Sequence, residues 1–166
     1  MLDKKEKPNE LYIGMTVNKE STEKLYLFCE QNHIKINLNV NEVELDFHVS
    51  LLSSDTVLDD EITINKMSVN VEAVKWEILE RKNENAQCLV LKVRANALDF
   101  LHNHIKDKYN LTHSFENFLP HITVDYNFKG KKPEVIPNFK IQLSKMYVKQ
   151  NFSSFNNNLQ AKKNRY

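Results

Sequence analysis

The chain has 166 residues, of which 41% are hydrophobic and 27% charged, and these proportions lead us to expect a single globular domain over 1–166 with a sizeable core. Its net charge of +1 excludes the broad basic field that holds long nucleic acids through many phosphates, so any anionic ligand is expected to be small. Cys29 and Cys88 form neither a CxxC pair nor a disulfide framework, and no run is long enough to cross a bilayer. With the charged, signal-free opening MLDKKEKPNE, this leads us to expect a cytoplasmic protein without membrane contact.

In chain order, LYIGMTV (11–17) has strand character. A helix is expected next, because Leu25, Phe28, Cys29 and Asn32 recur at helical spacing behind Glu20 and Glu23. VELDFHVSLL then alternates as a strand, with Phe47, Val49 and Leu51 on one side and His48 and Ser50 on the other. Between Ser68 and Arg81 the apolar phase shifts from Val69, Val71 and Ala73 to Val74, Trp76 and Ile78, which predicts a long strand with a bulge. KNENAQ is a polar turn, and CLVLKVR (88–94) reads as the partner strand.

NALDFLHNHIKDKY predicts a helix capped by Asn96, with Asp99 in its first turn and an apolar stripe of Ala97, Leu98, Leu101, Ile105 and Tyr109. LPHITVDY repeats the earlier division: Pro120, Ile122 and Val124 on one side, His121 and Thr123 on the other. KGKKPEVIP is a loop, and FKIQLSKMYV a final strand with a break expected at Ser144 and Lys145. The tail over 151–166 is polar and Asn-rich, and is expected to be mobile unless it folds over a ligand.

A single His-x-hydroxyl strand is usually a half-buried polar pair, but two in matching phase ask for one explanation. Each is preceded by a strand without histidine and an amphipathic helix, so we expect an internal duplication, with pseudo-repeats over about 11–52 and 88–126. The expected fold is α+β, with duplicated strand-helix-strand units forming two antiparallel-type sheets around a central cleft that both histidines face. Two imidazoles across a cleft suit general acid and base catalysis, and the hydroxyls of Ser50 and Thr123 suit hydrogen bonding to an anionic oxygen. That is equipment for phosphodiester cleavage without a metal or other cofactor.

FHVSLL and PHITVD resemble the paired H-x-[ST]-hydrophobic motifs of the two-histidine (2H) phosphoesterases, and the likeness covers most of residues 11–148. Ser50 stands where threonine is common; it keeps the donor and lacks the methyl. The whole chain is similar to the bacteriophage anti-CBASS nucleases, a branch of that superfamily. The resemblance implies an enzyme of the host cell cytoplasm that opens cyclic di- and trinucleotide signals, such as cyclic GMP-AMP, and so disarms an antiviral pathway. It implies His48, Ser50, His121 and Thr123 as catalytic residues and a 2′,3′-cyclic phosphate intermediate, leaving open which histidine begins as base.

Base recognition needs flat rings, and stacking contributes about 1–3 kcal/mol per base. Tyr12, Trp76, Phe115 and Tyr147 are the candidates, with core packing as the alternative for each. His102 and His104, two apart on a helix, diverge and read as solvated or packed. Asp125 alternates onto the face of His121 and Thr123, where a divalent metal is conceivable, but the first motif has no counterpart. Lys131 and Lys132 read as an exposed turn, and His33 and His113 have no partner legible in the sequence. Two alternatives to a cyclic-nucleotide nuclease stay open: a 2H enzyme of RNA ends or 2′,3′-cyclic phosphates, and a sponge that binds the signal uncut. Oligomeric state is not legible.

Overall fold

The computed structural model describes residues 10–56, 58, 62, 67–81, 85–113 and 117–151. Strands dominate: β1 (Glu10–Val17), β2 (Asn39–Val40), β3 (Val43–Glu44), β4 (His48–Ser54), β5 (Val69–Glu80), β6 (Gln87–Arg94), β7 (His121–Asp125) and β8 (Ile141–Asn151). Two helices accompany them among the described residues, α1 (Lys19–Gln31) and α2 (Asn96–Lys108). No described helix is long and apolar enough to cross a membrane.

Six strands form one antiparallel sheet that closes on itself in the order β1-β4-β7-β6-β5-β8, while β2 and β3 make a separate hairpin. This corrects the expected architecture of duplicated strand-helix-strand units in two sheets around a cleft. The cause lies in β5 and β8, which belong to neither supposed repeat. Val69 and Val71 of β5 pair with Leu143 and Ile141 of β8, all four nearly fully buried, and β8 runs along the whole of β1. Once β8 bridges β1 and β5, the halves cannot form independent sheets.

Alternation builds the core. Leu11, Ile13, Met15, Val49, Leu89, Leu91, Ile122 and Val124 are all fully buried and cluster with Leu25 and Cys29 of α1 and Leu98, Leu101 and Ile105 of α2. Each such side chain contributes roughly 1.5–3 kcal/mol on burial. A one-residue slip of a motif strand would exchange Val49 or Ile122 for a histidine, so the register is strongly specified.

Asn18 caps α1, accepting from the Ser21 N–H at 2.8 Å. The cap of α2 is Ala95, with no side-chain bond, rather than Asn96. The buried stripe of α2 is Leu98, Leu101, His102 and Ile105, and Ala97 faces solvent. Strand β5 does bulge, its pairing with β6 shifting between Ala73 and Lys75, and this leaves Val74 exposed. Ser144 is the extra residue where β8 shifts against β1.

Candidate active site

The ladder between β4 and β7 is a single pair, Val49 opposite Ile122. In an antiparallel register that pair puts His48 across from Thr123 and Ser50 across from His121, all four on the face opposite the core. The four motif side chains therefore form one patch across a two-strand seam. Its neighbours follow from the outer ladders. On β1, Gly14 lies opposite Ser50 and Thr16 opposite His48. On β6, Val90 lies opposite Thr123 and Lys92 opposite His121.

Both motif histidines are held alike. Nδ1 of His48 bonds the Asp46 carbonyl at 2.8 Å, and Nδ1 of His121 bonds the Leu119 carbonyl at 2.9 Å, each two residues upstream. A carbonyl only accepts, so each Nδ1 carries a proton and Nε2 is left to take or give one. His48 titrates below the ordinary imidazole value, chiefly because burial penalises the cation; the charges of Lys149 and His121 lower it further, against the Asp46 carbonyl bond and carboxylate. Its neutral form is thereby favoured.

Each motif strand also bulges at the hydrophobic fourth residue of its motif. Leu51 has no partner in β1, since Ile13 pairs with Leu52 and Gly14 with Ser50. Val124 has none in β6, since Leu89 pairs with Asp125 and Val90 with Thr123. On β4 the bulge is braced from behind: the Leu51 carbonyl accepts from Nδ1 of His102 at 2.6 Å, and His102 is buried, stacked on Phe118 at 4.2 Å. His113, unassigned from sequence, accepts from the Ser53 N–H at 3.4 Å and meets the His102 ring edge-on at 4.7 Å. His104 stacks on the exposed Phe100.

On β7 the bulge changes the phase. Asp125 turns to the side of Leu89, is almost fully buried, and accepts from the Asn127 N–H at 2.8 Å, so it does not share the face of His121 and Thr123. Among the described residues, no group of three or more His, Cys, Asp or Glu is placed to hold a metal. Tyr126 returns instead to the side of Thr123 and hydrogen-bonds its hydroxyl; burial, above all, pushes the Tyr126 phenol up to about 12. Strict alternation hides Tyr126, because only the bulge brings it round.

Two of the expected stacking rings join the patch. Tyr12, His48 and Tyr147 form a triangle with centroids 6.0–6.3 Å apart, and the Tyr12 hydroxyl bonds the Ser50 hydroxyl. They line a cleft of about 540 Å³ together with Asp46, Lys145 and Lys149. Lys149 Nζ stands 5.6 Å from the Tyr147 ring centre. The hairpin of β2 and β3 supplies Val43 and Glu44 to the rim of the same cleft.

Trp76 does not join them. It lies opposite Leu91 on the core face, 2% exposed, with Nε1 donating to the Val135 carbonyl at 2.7 Å, and it offers no free ring to a ligand. Phe115 and residues 152–166 of the tail lie outside the described residues. Sequence reasoning missed Gly14, Tyr126, Lys92 and Lys149. For Lys149 the signal was present, since it sits two positions from Tyr147 and so on the same face of β8.

A search of curated proteins returned no match. The family described as anti-CBASS protein Acb1 matches from residue 9 to residue 162, a span that holds both motif strands, all six barrel strands and both helices. The chain therefore belongs to the Acb1 family of anti-CBASS proteins.

Proposed function

We propose that this protein is a phosphodiesterase that opens cyclic di- and trinucleotide signals, with His48 and His121 as its acid and base and without a metal cofactor. The observation that carries the reading is the matched pair of histidines. Both are fixed through Nδ1 to a carbonyl, which leaves Nε2 to take or give a proton, and they stand with two hydroxyls on one patch. Family membership supports the substrate class, because an anti-CBASS protein acts against cyclic-nucleotide signalling. The 2H likeness of HVSL and HITV supports the chemistry.

His48, kept neutral, takes the proton of a ribose 2′-OH, which attacks the adjacent phosphorus. His121, protonated, gives its proton to the departing 5′-oxygen, and the product is a 2′,3′-cyclic phosphate on an opened ring. In the second step the roles reverse, and water yields a terminal phosphate. Ser50 and Thr123 donate to the nonbridging oxygens, where charge builds in the transition state. Tyr12 and Tyr147 offer ring faces to a base, and Lys145 and Lys149 favour an anion in the cleft.

The test is incubation with a panel of cyclic di- and trinucleotides in excess EDTA, with products resolved by mass spectrometry. Linear products ending in a 2′,3′-cyclic phosphate or a 3′-phosphate are expected. Intact nucleotides that co-purify with the protein would instead identify a sponge, and intact nucleotides that do not bind would favour an enzyme of RNA ends.

A further inference from the structure

Both motif hydroxyls carry a tyrosine partner from outside their own motif. Tyr12 of β1 bonds Ser50, and Tyr126, beyond the β7 bulge, bonds Thr123. A third phenol extends the first contact, since the Tyr147 ring of β8 stands 6.0 Å from the Tyr12 ring with a side-chain hydrogen bond between them. Tyr147 reaches Tyr12 by crossing directly over β1, and the residue beneath it is Gly14, which pairs with Tyr147 on one side and Ser50 on the other. A Cβ at position 14 would lie 2.6 Å from the Tyr147 hydroxyl oxygen and 2.8 Å from its Cζ, closer than real Cβ contacts come. Glycine is therefore required by this crossing. Its φ is not in the left-handed region, so nothing in the backbone of β1 asks for it.

Each hydroxyl has one proton to give. Tyr147 stands at the outer end of the three, so the arrangement that uses every proton has Tyr147 donating to Tyr12. The Tyr12 proton is then left for Ser50 Oγ, and the Ser50 proton for a group outside the chain. We infer that Gly14 and the Tyr147 hydroxyl are positioning elements of the reaction, a donor chain from Tyr147 through Tyr12 that turns the Ser50 hydrogen toward the reacting phosphate. The inference rests on the proposed phosphodiesterase reading and gives Tyr147 a second task, separate from any stacking by its ring. Without the chain, Ser50 can spend its hydrogen on Tyr12 and present a lone pair to an anionic oxygen, the wrong polarity for a transition state gaining charge.

The experiment is steady-state kinetics on Tyr147→Phe, Gly14→Ala and the double variant, with folding checked by thermal melting. Tyr147→Phe keeps the ring and loses the hydroxyl, so kcat is expected to fall about tenfold with KM within about twofold. Gly14→Ala, which displaces the ring, is expected to lower kcat at least as much. The double variant is expected to be no worse than Gly14→Ala alone, because the two changes break one chain. A rise in KM at unchanged kcat in Tyr147→Phe would overturn the inference and reduce Tyr147 to substrate binding. Unchanged kinetics in Tyr147→Phe would overturn it as well, while leaving the phosphodiesterase reading intact. Wild-type protein that cleaves none of the cyclic nucleotides would overturn that reading first, and this inference with it.

Discussion

In β4, His48 stands among the rings of Tyr12 and Tyr147 and near the charge of Lys149, whereas in β7 His121 faces Lys92, which Glu77 holds at 3.6 Å. The backbone plan of the two strands is the same: a carbonyl two residues upstream on Nδ1, a hydroxyl two residues downstream, a bulge one residue later. What differs is the neighbouring strand on each side. One plan repeated twice supplies two alike-held imidazoles, and on the proposed reading the unlike flanks make His48 the neutral base. The flanks also differ in chemistry, with an aromatic cleft on the His48 side and an ion-paired lysine on the His121 side.

Replacing either histidine is the harshest way to break the comparison. His48→Ala and His121→Ala are each expected to lower kcat by about 10²–10⁴-fold, the usual worth of a general acid or base, with cyclic-nucleotide binding retained in calorimetry. Activity persisting in both variants would remove the mechanism. Ser50→Ala and Thr123→Ala ask whether the two hydroxyls are as equivalent as the backbone suggests. Each is expected to cost about 10²-fold in kcat, the scale of one lost oxyanion donor.

The flanks give smaller, directional effects. Lys149→Met removes a charge that disfavours the His48 cation, so the His48 pKa rises and the acid limb of kcat/KM moves to higher pH. A limb that moves the other way would show that Lys149 does not act on His48. Lys92→Met is expected to lower kcat/KM only severalfold, and the loss is expected to shrink at high salt, because Lys92 is already paired with Glu77. A loss on the scale of the histidine variants would mean that Lys92 takes part in the chemistry.

Period-two alternation was enough to find His48, Ser50, His121 and Thr123 on one face, because β4 and β7 are regular as far as the motif hydroxyl. It failed one residue later, where each strand bulges. That is why Asp125 was assigned to the patch and Tyr126 was not, and a bulge depends on the partner strand rather than on the residues that carry it. The fold was misread for a related cause. Local order in the two halves suggested a duplication, while closure of the sheet depends on β8 pairing with both β1 and β5, contacts between residues far apart in the chain. Trp76 lies in phase with apolar neighbours, and the pattern alone could not say that a carbonyl from the KGKKPEVIP loop, at Val135, would satisfy its indole inside the core. His102 looked like one of two divergent surface histidines. Its ring bonds the carbonyl of Leu51, the residue left without a partner in the β1 ladder, which the local pattern does not reveal.

The claim that two unlike-flanked histidines divide the acid and base roles is tested most directly by the pH dependence of kcat/KM on a cyclic dinucleotide, measured in EDTA. A bell is expected, with an acid limb below the ordinary imidazole value of 6.5 that His48 sets by having to lose its proton, and an alkaline limb set by the general acid having to keep its own. A profile with a single limb, or activity that vanishes with the chelator at every pH, would contradict the account.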